Sequence, residues 1–324
     1  MDYSELSLEQ RRQLVDAQQL YSAWRPPAIE LATIGGLYWN TSKGRRYLYE
    51  KREGKLRSLG RETPELNARK REHDQRAKDL QSRLRTLGAR MEKMAPINRA
   101  IGIGRLPAIA SKIVRELDLE GLLGSHLIVA GTNALYAYET AAGVRVGGEH
   151  VATGDADLLW DTRKSLSLSA TGVIRRQGLM SILRRVDSTF VAQHGMIITN
   201  SAGYIVDLIT PEDGATPQGN DVDPQPIGGM EWLLAAPRFE QVVVGSDGIP
   251  LRIVAPEPRT FALHKRWVST RLDRNPVKKA KDVAHSRIVA ELAQTYLGLS
   301  FSAKQMPWLS PELRRLVGEM KAGI

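Results

Sequence analysis

Two aspartates stand two residues apart where an apolar segment begins, in Thr153-Gly154-Asp155-Ala156-Asp157-Leu158-Leu159-Trp160. On a strand, the side chains of residues i and i+2 share a face. An extended reading therefore sets two carboxylates side by side at the start of a buried strand. Like charges held this close repel unless a cation lies between them, and hard oxygen ligands at this spacing suit magnesium or manganese. A solvated turn explains the same pair equally well. The feature constrains the fold only in company with others.

Two other segments supply that company. Gly131-Thr132 follows the strand-like run His126-Leu127-Ile128-Val129-Ala130 and precedes a helical segment, Asn133 to Thr140. Glycine lets the backbone turn tightly and approach a phosphate, and the first turn of a helix offers unpaired N–H groups to an anion. An ordinary N-capped helix is the plain alternative. Asp207 lies inside Tyr204-Ile205-Val206-Asp207-Leu208-Ile209. A carboxylate buried among such residues is costly unless paired or metal-bound; on an edge strand it would simply face solvent.

Strand, Gly-Thr, helix, Asp-x-Asp strand and a later strand with a lone Asp, taken in this order over His126 to Thr210, resemble the polymerase-β-like nucleotidyltransferase superfamily. The resemblance implies an α+β fold, a mixed sheet with flanking helices. It also implies that Asp155, Asp157 and Asp207 bind divalent cations (Mg2+ or Mn2+) and that Gly131 and Thr132 hold the phosphates of an NTP. The activity implied is transfer of a nucleoside monophosphate to an acceptor hydroxyl, with release of pyrophosphate. The interval from Thr132 to Asp155 is longer than in compact members. It is closer to the abortive-infection type of bacterial nucleotidyltransferase toxins, which implies an antitoxin or regulatory protein as a partner. Gly143 to Gly154 would be the connecting loop, with Arg145 and His150 either near phosphate or solvated. The segment Pro258 to His285 resembles the helical part that closes the nucleotide site, which implies nucleotide-binding roles for Lys265, Lys281 and Asp282. A solvated basic helix face is the alternative for this cluster, and Trp267 reads as core.

The rest of the chain is read from its own pattern. Ser7 to Trp24 reads as a helix with a Ser7/Gln10 capping box, stopped by Pro26-Pro27. Leu37-Tyr38-Trp39, Tyr47-Leu48-Tyr49 and Lys55-Leu56 form a small β-meander with turns at Ser42-Lys43-Gly44 and Glu53-Gly54. Pro64 to about Met94 is a charged helix whose stripe is Leu80, Leu84, Leu87, Met91 and Met94. Strands near Gln241–Val244 and Leu251–Val254 flank a Ser246-Asp247-Gly248 turn as a hairpin, and the chain from Pro258 is mostly helical. The units expected are 1–62, 63–96, a nucleotidyltransferase core over 97–215, and a hairpin with helices over 216–324.

Charge is unevenly distributed. The formal net charge is +10, and Thr41 to Ala95 alone holds 17 Lys/Arg against 8 Asp/Glu. Such a localised excess favours an anionic partner. Arg45, Arg46, Tyr47, Tyr49 and Arg52 interleave cations with aromatics, as RNA contacts require. RNA, a tRNA end in particular, is the acceptor expected; a helper subdomain packed on the core is the alternative. A protein side chain or a small molecule remains open as acceptor, as does a catalytically inactive nucleic-acid-binding module.

Other chemistries fall away. There is no cysteine, so thiol catalysis, disulfides and zinc-thiolate sites are excluded. The six histidines lack zinc-hydrolase spacing, and Gly102-x-Gly104 lacks both a preceding strand and a third glycine. No secretory signal and no membrane segment are read, and a cytoplasmic location is expected.

Overall fold

The computed structural model describes residues 2–52, 55–164, 173–193, 197–213 and 222–321. The sequence also predicts a strand from Met196 to Thr199 and a Gly/Pro/Asp-rich loop from Pro211 to Met230; the expected Glu53-Gly54 turn, the first residue of that strand and part of that loop fall outside these residues. Helix α1 (Leu8–Thr33) starts on the capping box: Ser7 Oγ accepts from Gln10 N at 3.2 Å, and Gln10 Oε1 accepts from Ser7 N at 2.9 Å. It does not stop at Pro26-Pro27, contrary to expectation, but runs on to Thr33. Proline removes a helical hydrogen bond. Tertiary contacts offset that loss: Pro27 and Ala28 are buried, and beyond them Glu30 takes a bidentate bond from Arg76 at 2.6 and 2.7 Å.

Before α1, a short strand β1 (Tyr3–Glu5) precedes the meander β2 (Gly36–Ser42), β3 (Arg45–Arg52) and β4 (Lys55–Arg61), antiparallel throughout. Leu48 is fully buried and Leu37 nearly so, whereas Tyr38 and Tyr49 stack on the other face at 6.1 Å. The meander leans on α2 (Pro64–Ala100), which is capped by the Thr63 hydroxyl and passes through Pro96 instead of ending there. Leu80 and Met91 of the expected stripe are buried, and the first four turns of α2 bury nothing.

The central unit contains α3 (Ala108–Leu119), β5 (Leu127–Val129), α4 (Leu135–Ala142), β6 (Val144–Val146), α5 (Gly148–Val151), β7 (Asp155–Trp160), α6 (Val173–Val186), β8 (Val191–Gln193), β9 (Ile197–Thr199), β10 (Ile205–Pro211) and β11 (Gln225–Ile227). Its mixed sheet has the order β5-β7-β10-β9-β8, with β11 beside the far half of β10. β10 runs parallel to β7 and β11 and antiparallel to β9. The expected loop from Gly143 to Gly154 is corrected: β6 pairs with β1, and α5 makes one turn.

Next come α7 (Met230–Ala235), the hairpin β12 (Arg238–Val244) and β13 (Pro250–Pro256), and helices α8 (Pro258–Thr270), α9 (Pro276–Thr295) and α10 (Pro311–Lys321). One apolar cluster joins the sheet, the hairpin and these helices, from Leu106 to Met320. The C-terminal helices therefore wall the same core that the sheet floors.

A buried charge network fastens α1 to this core. Asp118 of α3 is 2% exposed and accepts from Arg25 Nε and Arg252 Nη1, both at 2.6 Å, and from the Tyr21 hydroxyl at 3.0 Å. Burial alone would raise its pKa, but the two guanidiniums outweigh burial and hold it below the usual carboxylate range. Removing one partner of a buried ion pair strands the other charges. Asp118→Ala is therefore expected to cost about 2–3 kcal/mol of stability, read as a lower denaturant midpoint, and to loosen α1 before the sheet in hydrogen exchange.

Candidate active site

β7 alternates inward Ala156 and Leu158 with Asp155 and Asp157 on the opposite face, and β10 alternates Val206 and Leu208 with Asp207 in the same way. The two strands are parallel neighbours in a register that puts Asp207 directly beside Asp157. Periodicity within each strand and register between them thus gather all three aspartates on one side of the sheet. Backbone contacts hold the first strand in place: Asn133 Nδ2 and the Tyr204 hydroxyl donate to Asp155 O at 2.9 and 3.1 Å. The Thr153 hydroxyl donates to the Asp155 carboxylate.

Gly131 closes the floor. Its φ of 55° and ψ of −148° are poorly accessible to other residues, and a Cβ on it would lie 1.6 Å from Asp157 Oδ2. Ala130 N also donates to Asp157 O at 2.9 Å. The Gly-Thr turn therefore abuts the second aspartate directly. Thr132 starts a single 3-10 turn, with α4 following at Leu135, so the α-helix begins two residues later than expected.

Opposite stand α8 and α9. Lys265 Nζ lies 2.8 Å from Asp282 Oδ1, and Arg274 Nε donates to Asp282 Oδ2 at 2.8 Å. Buried Asp282 thus orients two cations; burial is the largest single influence on it and would raise its pKa, but the two cations together outweigh burial and hold it below the ordinary range. Lys281 Nζ donates to Ala152 O at 2.9 Å, and burial lowers its pKa. Lys265, Lys278, Lys281, Arg274, Asp282, Gly131, Thr132 and the three aspartates all line one cleft of about 300 Å³.

The electrostatics of the cleft are those of crowded acids. Burial, then the charge of Asp155 and to a lesser degree Asp207, pushes Asp157 up to about 6, with Lys265 opposing. Burial and Asp155 also raise Asp207. A cation among these oxygens would relieve both penalties, so the donor set fits a hard divalent ion. Among the described residues no group of three or more His, Cys, Asp or Glu is close enough to hold a metal. The three aspartates therefore share one face of the sheet without forming a three-carboxylate cation site by themselves.

Other expected residues lie elsewhere. Arg45, Arg46, Tyr47, Tyr49 and Arg52 are on the meander and do not line the cleft. Arg46 sits 3.1 Å from Glu62 and 5.1 Å from the Trp39 ring centre. Arg145 is on β6, and His150 lies near Asp2 and Glu149; neither lines the cleft. Trp267 packs against the core and meets Trp232 edge-on at 4.7 Å. Arg274, His264 and His285 all line the cleft, and the sequence reading assigned them no role. The signal was present: Phe261, His264, Lys265 and Val268 on α8, and Lys278, Lys281, Asp282 and His285 on α9, each follow one helical face.

A family model described as nucleotidyltransferase matches residues 109–308. The chain belongs to this nucleotidyltransferase family. The matched span contains every cleft-lining residue and leaves out α1, the meander and α2. No curated protein and no solved structure matches the chain. The family's chemistry is transfer of a nucleoside monophosphate, and in this nucleotidyltransferase one cleft within the matched span joins basic side chains and carboxylates. No described helix is long and apolar enough to cross a membrane.

Proposed function

We propose that the chain is a magnesium-dependent nucleotidyltransferase with a polymerase-β-like core, moving a nucleoside monophosphate from an NTP to a hydroxyl of RNA. The observation carrying this reading is the register that sets Asp207 beside Asp157, with Gly131 against the Asp157 carboxylate and lysines opposite. Lys265, Lys278 and Lys281 neutralise the triphosphate, and the backbone at Gly131-Thr132 approaches its phosphates. Asp155 and Asp157 would hold a divalent cation, which would supply charge stabilisation at the phosphates, and the Asp207 carboxylate accepts the proton of the attacking hydroxyl. The acceptor oxygen bonds to the α-phosphorus, the bond from that phosphorus to the bridging oxygen breaks, and pyrophosphate leaves. The test combines the protein, labelled NTPs and total RNA, with magnesium or with chelator. Magnesium-dependent label in RNA is expected. Label in protein or a small molecule instead would overturn the acceptor alone, and no transfer of any kind would favour an inactive nucleic-acid-binding module.

RNA is the acceptor of choice because the positive excess is confined to the meander and α2, outside the catalytic span. Arg45, Arg46 and Arg52 are exposed on β3. Replacing all three by alanine is expected to make the log–log salt dependence of RNA binding shallower by up to about 2, at roughly 0.7 per lost phosphate contact. Filter binding at several salt concentrations measures it; an unchanged slope assigns the meander a structural role. The long Thr132-to-Asp155 interval, here containing β6 and α5, supports likeness to the abortive-infection type and with it an antitoxin or other regulatory partner.

A further inference from the structure

The cleft has two chemically distinct ends, and only one has been accounted for. The carboxylates and lysines occupy the end where β7 and β10 begin. Further along β10, the lining turns apolar: Ile209, then Ile227 of the adjacent β11, Met230 and Leu233 of α7, and Phe261 and Val268 of α8. Gln225 of β11, beside Ile209, is exposed at this apolar lining, and His264, one residue before the phosphate-side Lys265, is the buried polar side chain within it.

His264 is 3% exposed, and neither Nδ1 nor Nε2 has a hydrogen-bond partner among the described residues. Its ring packs edge-on against Trp232 at 6.5 Å and at a tilt against Trp267 at 5.9 Å, so packing engages the ring while both nitrogens stay unused. Burial, reinforced by the charge of Lys265, lowers its pKa to about 3. The ring is uncharged at neutral pH and keeps one N–H donor and one acceptor nitrogen. Burying two polar atoms without partners is costly, and an apolar residue would fill the same space without that cost. A donor or acceptor entering the cleft would remove that cost. Beside the ring the Gly229 backbone packs close: a Cβ there would lie 3.3 Å from Nε2 and 2.8 Å from the Trp267 ring, so no larger residue fits at this position.

We infer that the apolar end of the cleft is the slot for the nucleobase of the incoming nucleotide, and that His264 hydrogen-bonds the edge of that base. This rests on the proposed nucleotidyl transfer and goes further by naming what reads the base. A nucleobase has two apolar faces and an edge of donors and acceptors. Apolar walls with a few placed polar groups are what such a ligand needs. The adjacency of His264 and Lys265 on α8 then links base recognition to phosphate neutralisation, since both side chains reach one cleft from one helical turn.

The test measures equilibrium binding of the four NTPs and of inorganic tripolyphosphate to the full chain with magnesium, in wild type, His264→Leu and His264→Gln. Thermal unfolding is recorded for each. Wild type is expected to rank the four NTPs and to bind the preferred one more tightly than tripolyphosphate. His264→Leu is expected to weaken that NTP about 10- to 100-fold and flatten the ranking, with tripolyphosphate affinity unchanged within twofold; His264→Gln restores part of the preference. An unchanged ranking in His264→Leu overturns the inference, as does an equal loss for tripolyphosphate, which would make the ring a support of the cleft. If His264→Leu does not fold, wild type is tested with analogues of the preferred NTP that each lack one base-edge group. Equal binding of every analogue overturns the inference, and a fivefold loss for at least one supports it. A wild type that binds neither NTP nor tripolyphosphate fails the nucleotidyl-transfer reading itself, whereas NTP transfer that is indifferent to His264 fails only this one.

Discussion

Asp157→Asn is expected to lower nucleotide transfer about 1000-fold while making the metal-free protein more stable above pH 6. The first effect follows from position. Asp157 is the aspartate placed beside both Asp155 and Asp207, so it is the oxygen donor most central to any cation in the cleft. Removing one transition-state charge stabiliser of this kind costs on the order of 100- to 1000-fold, and loss of the cation itself costs more. The second effect has the opposite sign because the residue is held against its own electrostatics. In the unfolded chain its pKa is 3.8, and in the fold it is pushed to about 6 by burial and its acidic neighbours. The native state therefore binds more protons than the unfolded state between these values, and stability falls as pH rises through that window. The penalty is absent below about pH 4 and complete above about pH 6. Its size is about 1–3 kcal/mol, because each tenfold change in proton affinity is worth about 1.36 kcal/mol and partial solvent contact reduces the sum. Asparagine removes it, so the gap in melting temperature between variant and wild type should widen from pH 4 to pH 7 in chelator. Magnesium should raise wild-type stability and leave the variant unmoved. Transfer that survives the substitution would sink the active-site assignment.

Gly131→Ala is expected to reduce transfer at least about 100-fold and to destabilise the protein by about 2–4 kcal/mol. Two costs coincide here. The backbone conformation, φ 55° and ψ −148°, is one that a residue with a Cβ rarely adopts. The added methyl would also lie 1.6 Å from Asp157 Oδ2, a distance no relaxation of the methyl alone can resolve. Either the β5–α4 turn opens or the carboxylate swings away, and displacement of a catalytic group by about 1 Å costs on the order of 100-fold. Single-turnover assays at saturating NTP and magnesium separate this from weaker binding. Gly88 supplies a control, since it is a helical glycine with open space around its Cβ position. Gly88→Ala should leave transfer unchanged and raise stability by up to about 1 kcal/mol.

Local chemistry was the part of this molecule open to reading. The Ser7/Gln10 box, the three meander strands, the Asp-x-Asp strand, the Asp207 strand and the β12–β13 hairpin each announce themselves within a few residues, by cap, alternation or turn. The helix ends were misplaced where proline seemed decisive. Pro26, Pro27 and Pro96 lie inside helices whose neighbours hold them, and packing energy exceeded the lost hydrogen bonds. The β1–β6 pairing and the ties from Arg25 and Arg252 to Asp118 join residues far apart in sequence, and no local pattern encodes such partners.

The two aspartates that begin β7 show the same division. Sequence alone put Asp155 and Asp157 on one face, because strand periodicity is a property of the backbone. It also supplied a glycine where only a glycine can stand. Which aspartate the glycine touches, and that Asp207 falls beside Asp157 and not one residue away on the buried face, depended on the parallel register of β7 and β10. That register is fixed by the apolar faces of both strands locking into one core, so a one-residue slip would bury the carboxylates and expose Val206 and Leu208. The same core seats α8 and α9 over the sheet, turning Lys265 and His264 from neighbours on a helix into lining residues of one cleft with the aspartates.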